Sequence, residues 1–305
     1  MQAIVIRQMI LFFAVFLVGF FCARRKVIQK EGLPHLARLM AKVLLPVLMF
    51  SVTYCGITWS MIRESAVVLL LAAAFYLIVT LVLLGTARGF RLAGDRGRVF
   101  RFAFTFGNTG FVGAPLLTAM DPVTGGLYLA LFSVVDQILF WTYGVRLATA
   151  SDRRAQISLR SVLNPNLVAI MIALLLVLAG VRLPVLAEDV LNTLRNAVPA
   201  VSMLYLGALF AFSDWRPAFR SRELYGGIAV KMILLPFLLG RLLGMTGLDG
   251  SIVRSMSVLM ALPTMTVVPM IAEMYGHEGP YAAGLSVATL AAGIVTIPLV
   301  AALAF

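Results

Sequence analysis

Charge is scarce in this sequence. Of its 305 residues 12% are charged and 61% are hydrophobic, and the mean hydropathy is +1.00. Soluble domains run near half apolar and a quarter charged. A soluble globular fold is therefore excluded, and an all-α polytopic membrane protein with little mass outside the bilayer is indicated. Cysteine is equally sparse: Cys22 and Cys55, in or beside apolar runs, make neither a disulfide framework nor a metal-ligand spacing. His35 and His277 are the whole histidine complement, which leaves little room for histidine chemistry. There is no Walker-type phosphate loop, no Gly-x-Ser-x-Gly or His-Glu-x-x-His motif, and no pair of catalytic aspartates on facing spans. Neither an enzyme, nor a cofactor, nor a bound metal is read from the chain. Acidic residues number 13 against 25 basic ones, for a net charge of +12. The basic residues gather in short joins between apolar runs, where positive charge sets membrane topology, so nucleic-acid binding is not expected.

What is abundant is apolar length. A helix needs about 20 apolar residues to span a bilayer. On that rule ten spans are expected, at roughly 3–22, 34–56, 64–87, 98–120, 124–148, 162–181, 196–213, 223–245, 251–274 and 280–304. The first is expected to be a retained helix rather than a cleaved signal peptide. Lysine and arginine concentrate in the odd joins: Arg24, Arg25, Lys26 and Lys30; Arg88, Arg91, Arg96, Arg98 and Arg101; Arg146, Arg153, Arg154 and Arg160; Arg216, Arg220 and Arg222. The even joins carry fewer. The odd joins are thereby assigned to the cytoplasm and both termini to the outside. The ninth join, with Glu273, His277 and Glu278, departs from the bias. Trp59, Trp141 and Trp215 fall near span ends and suit interface anchoring.

Two spans are interrupted. Gly107-Asn108-Thr109-Gly110-Phe111-Val112-Gly113-Ala114-Pro115 breaks the fourth, and Ala261-Leu262-Pro263-Thr264-Met265-Thr266-Val267-Val268-Pro269 breaks the ninth. Glycine and proline weaken a helix interior. Backbone at membrane depth cannot leave its polar groups unpaired unless it is buried in protein or lines a cavity. Pro115 and Pro269 lie about 154 residues apart, half the chain, and Pro46 and Pro199 lie at nearly the same spacing. Five spans per half is an odd number, so the halves, 1–150 and 151–305, are expected to be inverted repeats whose broken helices 4 and 9 cross near the midplane. Helix N-termini at such a crossing can hold an anion, and freed carbonyls can hold a cation.

The polar residues at the breaks are the candidate substrate contacts: Asn108, Thr109 and Gly110 in the first, Pro263, Thr264 and Thr266 in the second. Pro115 and Pro269 shape the crossing. Asn108 can instead serve only to satisfy the broken helix, and the threonine hydroxyls can bond the carbonyl one turn back. Asp136, mid-span beside Gln137, is an intramembrane acid and so a functional candidate. It either binds a coupling proton or sodium ion or is the structural partner of Lys42 or Lys231. Lys231 either attracts an anion, neutralises a carboxylate, or snorkels to the interface. Asn164 and Asn166 open the sixth span as caps, and Ser51 is a further candidate in the second.

At these residues the chain resembles the auxin efflux carrier family, whose members include the plant auxin exporters and bacterial relatives. Asn108 through Leu117 looks like the family's fourth-helix signature. Ala261-Leu262-Pro263 with Val267-Val268-Pro269 looks like its ninth-helix counterpart, and Trp141-Thr142-Tyr143-Gly144 and Asn164-Pro165-Asn166 are similar to its other patterns. The resemblance implies ten helices in two inverted five-helix repeats that intertwine into a scaffold part and a crossover transport part. It implies a secondary transporter that moves a small organic anion, an auxin-like aromatic carboxylate or a dicarboxylate such as malonate or malate, by an elevator-type motion. It also places Asn164 or Asn166 on the transport path. A lipid bilayer of the bacterial inner membrane, with a homodimer as the oligomer common in related folds, completes the expectation. The short join from Ala150 to Leu163 carries none of the large loop of the plant exporters. The alternatives are a sodium-coupled symporter of the bile-acid type and a cation/proton antiporter on the same crossover fold. The breaks carry no carboxylate, which argues against the antiporter.

Overall fold

The computed structural model describes residues 2–54, 57–149, 164–213, 219–274 and 278–304, and among them every regular element is helical. Arg153, Arg154, Arg160, Trp215, Arg216, Cys55 and His277 lie outside the described residues. The helices are α1 (Gln2–Arg24), α2 (Lys30–Tyr54), α3 (Trp59–Gly89), α4 (Gly94–Thr105), α5 (Thr109–Met120), α6 (Gly125–Ala148), α7 (Pro165–Leu178), α8 (Val185–Phe212), α9 (Arg222–Gly244), α10 (Gly250–Ala261), α11 (Val267–Met274) and α12 (Gly279–Ala304).

Seven helices among the described residues are long and apolar enough to cross a bilayer: α1, α2, α3, α6, α8, α9 and α12. The other three expected positions hold the shorter apolar helices α5, α7 and α10. Two of these are short because the chain breaks, leaving α4 with α5 and α10 with α11 as half-helices. The helix expected at 196–213 begins earlier, at Val185 behind Pro184, and runs 28 residues. Its first turns carry Glu188 and Asp189, so helix continues past the apolar run.

Proline explains the local geometry of several helices. A proline ring clashes with the carbonyl four residues back and offers no N–H. A widened π turn relieves that clash. Such turns occur at Met40–Leu44 before Pro46, at Thr109–Gly113 before Pro115, and at Ile228–Leu234 before Pro236. A fourth, Phe140–Gly144 in α6, has no proline after it.

Two packing groups result. In the first, α1 lies along α8, α7 along α2, and α2 against α8. The α1–α8 contact is backbone to backbone: a Cβ on Gly207 would fall 1.9 Å from the Phe16 carbonyl oxygen, and one on Gly19 would fall 2.2 Å from that of Leu204. Small residues permit such close approach where lipid supplies no hydrophobic drive. In the second group, α3 packs on α4 and α6, α9 on α10, and α12 on α10 and α11. Buried phenylalanines, Phe100, Phe102, Phe104, Phe106, Phe132 and Phe140, fill this group around the first break.

Candidate transport site at the helix crossing

The two breaks satisfy each other. After α4 the chain is extended at Phe106 (φ −101°, ψ 119°), and after α10 it is extended at Leu262 (φ −58°, ψ 143°). Asn108 donates its backbone N–H to the Pro263 carbonyl (2.7 Å), and Met265 donates to the Phe106 carbonyl (3.0 Å). This is an antiparallel bridge of one residue pair, Gly107 with Thr264. The Thr264 N–H is taken by the Thr289 hydroxyl of α12 (3.1 Å). Backbone polar groups freed at membrane depth thereby find partners inside the protein, as the absence of water there demands.

Two helices that start beside the crossing, α5 and α7, are capped by asparagines. The Asn108 side-chain oxygen accepts from the Phe111 N–H (3.1 Å) at the start of α5. The Asn164 oxygen accepts from the N–H groups of Asn166 and Leu167 (3.0 and 3.1 Å) at the start of α7. The N-termini of α5, α7 and α11 converge on one cavity of about 430 Å³, bounded on its other side by α2 and α8.

Of the residues singled out from sequence, Asn108, Thr109, Gly110, Gln137, Asn164, Asn166 and Thr266 line this cavity. Pro263, Thr264, Pro115, Pro269, Ser51, Asp136 and Lys231 do not. Pro263 supplies a carbonyl to the bridge, and Thr264 is its paired residue. Pro115 follows the widened turn of α5, Pro269 lies in the first turns of α11, and Ser51 is buried within α2. Neither Thr264 nor Thr266 bonds back to its own helix. Their hydroxyls, with Ser133 Oγ, Asn108 Nδ2 and Asn166 Oδ1, are buried with no hydrogen-bond partner among the described residues. Buried polar atoms in native proteins are normally paired, so a cavity edged by Asn108 Nδ2, Asn166 Oδ1, Ser133 Oγ and Thr266 Oγ1 is built for a polar occupant.

Sequence reasoning missed part of the lining. Arg38 and Lys42, one helical turn apart on α2, both reach the cavity and both are exposed. Their i,i+4 spacing inside an apolar run was the available signal. Phe111, Phe140, Trp141 and Tyr205 add aromatic surface, and among the described residues no Asp or Glu lines the cavity. Partial positive charge at three helix N-termini and two formal cations therefore face the same space.

Behind the cavity lies a buried polar network. The Asp136 carboxylate is fully buried in α6. Tyr76 of α3 donates its hydroxyl to Oδ1 and Gln137 donates Nε2 to Oδ2 (3.0 Å), with Thr109 close enough to interact with the same carboxylate. A carboxylate accepts and does not donate. Gln137 must then turn its Oε1 outward, where it accepts from Asn164 Nδ2 (3.0 Å), leaving the Asn164 oxygen for the α7 cap. One charge thus orients two amides and a helix end. Of the two lysines considered as partners for Asp136, Lys231 is the one in electrostatic reach. It is buried and does not snorkel, its Nζ donating to the Leu262 carbonyl. Lys42 lies at the cavity instead.

Two further polar contacts tie the halves of the chain together away from the cavity. At the start of α9, Glu223 accepts from Arg96 (2.7 Å) and from the Tyr281 hydroxyl (3.2 Å). At the opposite ends of the half-helices, Asp121 accepts from the hydroxyls of Ser251 and Thr124 and from the N–H groups of Thr124 and Val123. Burial alone would raise the Asp121 carboxyl; these donors outweigh it and hold it below its ordinary value.

No curated protein matches the chain. Residues 4–301 match the family described as membrane transport protein, which is the auxin efflux carrier domain. That match takes in both broken helices, the cavity and nearly the whole sequence, and the chain accordingly belongs to the auxin efflux carrier family and is an integral membrane transporter.

Proposed function

We propose that the protein is a secondary transporter of a small organic anion, which it holds in the cavity at the helix crossing. The observation that carries this reading is the charge character of the lining: three helix N-termini, Arg38, Lys42 and an Asn108 Nδ2 with no partner among the described residues, and no carboxylate among the described lining residues. An anion replaces its hydration with such donors, whereas a cation would face like charge throughout. The aromatic side chains suit a ring-bearing carboxylate of the auxin type. The two separated cations suit a dicarboxylate such as malonate or malate.

The packing supports a division of labour. The group α1, α2, α7 and α8 would serve as the scaffold and the crossing group as the moving part, in an elevator-type motion. The halves 1–150 and 151–305 would be the inverted repeats, with ten spans in all and both termini outside a bacterial inner membrane. A homodimer is the assembly we favour. A second reading has its own support: Thr109 lines the cavity and also lies close enough to the buried Asp136 to interact with its carboxyl, which could link an occupant to a coupling proton. A sodium-coupled symporter of the bile-acid type or a cation/proton antiporter would be the fuller forms of it.

The test is a thermal-stability screen of the purified protein against aromatic and dicarboxylic anions across pH, followed by uptake into proteoliposomes. A ligand that binds the folded state raises its apparent stability by mass action. Stabilisation by an organic anion, with saturable transport of that anion, is the expected result. Response to cations or pH alone, with none to any anion, would favour the antiporter and sink the anion reading.

A further inference from the structure

Lys231 occupies an unusual position. It lies in the widened turn Ile228–Leu234 of α9, five residues before Pro236, and is 2% exposed. Its ammonium donates to the carbonyl of Leu262, the residue that ends α10. With ψ at 143° that residue has left the helical conformation, so its carbonyl is among the groups freed by the second break. Across from it stands Gly107 of the first break. A Cβ there would crowd Leu262 Cβ at 3.0 Å and stand in ordinary contact with Lys231 Nζ at 3.6 Å, so the first break lies directly against both the freed residue and the ammonium. Asp136 is the charged group in electrostatic reach.

The surroundings of that ammonium are those of a cation site. The C-terminal end of α10 carries partial negative charge, a freed carbonyl points at the position, and a carboxylate stands nearby. In broken-helix transporters, half-helix C-termini and unwound carbonyls of this kind coordinate sodium. We infer that the Lys231 ammonium takes the place of an inorganic coupling cation, a tethered charge that completes the crossing and makes it independent of sodium. A sodium ion entering the same space would meet a like charge already bonded to the carbonyl. The consequence for transport rests on the transporter reading above: anion movement should not require a sodium gradient. The consequence for the fold does not rest on it.

The experiment compares melting temperatures of the full-length protein in sodium chloride and in choline chloride at equal ionic strength. The wild-type protein should melt at the same temperature in both. Lys231→Ala should melt lower in choline and recover part of the loss in sodium or methylammonium, either of which can enter the vacated space. Stabilisation of the wild type by sodium would overturn the inference, and so would a Lys231→Ala variant indifferent to every cation. If that variant cannot be purified, the wild-type comparison still decides: sodium indifference supports the tethered charge and sodium dependence ends it. A failed anion screen would strike the transport reading and leave this melting comparison intact.

Discussion

Asn108 and Pro263 are joined through their backbones, the N–H of one donating to the carbonyl of the other at 2.7 Å. The bond fixes the first residue of one half-helix against the break in the other. It also fixes where the Asn108 side chain points: its oxygen caps α5 and its Nδ2 faces the cavity without a partner among the described residues. The two ends of one amide therefore have separable tasks, one structural and one for the ligand.

That separation gives the first prediction. Serine caps a helix about as well as asparagine, so Asn108→Ser keeps an oxygen for the Phe111 N–H while removing the amide donor. Its stability should stay within about 1 kcal/mol of wild type. A hydrogen bond to a charged group contributes about 1.5–3 kcal/mol, so affinity for the transported anion should fall roughly tenfold to a hundredfold. Thermal melting reads the first quantity and ligand titration the second. Unchanged affinity would remove Asn108 from the site.

Much of this site was legible in the chain because glycine, proline and asparagine in an apolar run have few physical uses. Gly107, Asn108, Pro263 and Thr266 declared a break, and the break declared a cavity or a buried crossing. The π turns before Pro46 and Pro236 were hidden, since proline in a membrane helix is common and its local accommodation depends on neighbouring turns. Tyr76 was invisible for another reason. A tyrosine in an apolar span is ordinary until packing brings it to Asp136, 60 residues away. Lys231 showed as an intramembrane charge, but its partner, the Leu262 carbonyl 31 residues on, is a product of the crossing itself. Lys42 read only as an ion-pair candidate, and Arg38 carried no reading, because only the folded chain places α2 beside the breaks.

Lys42 gives the second prediction. It is exposed and lines the cavity one turn from Arg38, so Lys42→Glu should alter stability by no more than about 0.5 kcal/mol. Reversing a charge near a bound carboxylate at high effective dielectric costs on the order of 1–4 kcal/mol. Affinity for the anion should drop about tenfold or more at low salt. The gap to wild type should narrow as salt rises, because exposed charges are screened. A salt-independent loss, or none, would take the α2 cations out of ligand capture.

Asp121 yields a pH prediction. Its carboxyl lies below the ordinary value in the folded protein because Ser251, Thr124 and two N–H groups bond the charged form. A depressed folded value means stability that is complete above the unfolded value, near 3.8, and is lost as pH falls through the lower folded one. Asp121→Asn should therefore melt below wild type at neutral pH and lose less on acidification. Melting curves followed from neutral pH into the acid range would show the two proteins converging. Parallel curves would mean the Asp121–Ser251 contact contributes nothing through charge.

Orientation can be settled with two exposed valines. Val27 lies in the join between α1 and α2, and Val123 in the join between α5 and α6; both are well exposed, at 75% and 68%. Arg24, Arg25, Lys26 and Lys30 surround the first, while nothing basic lies between Asp121 and Gly126. Lysine and arginine in short joins are retained on the cytoplasmic side. The path from Val27 to Val123 runs through α2, α3 and the broken pair α4 and α5, which is three crossings if each traverses the bilayer. An odd number of crossings places the two joins on opposite faces. In a Cys22→Ser, Cys55→Ser background, Val27→Cys should react with a membrane-impermeant thiol reagent only from the cytoplasmic side, and Val123→Cys only from outside. Both labelling from one face would mean that one of those three passages does not cross, and with it the inverted relation between the halves would fail. Opposite faces with the signs exchanged would keep the ten-span count and turn the whole molecule over.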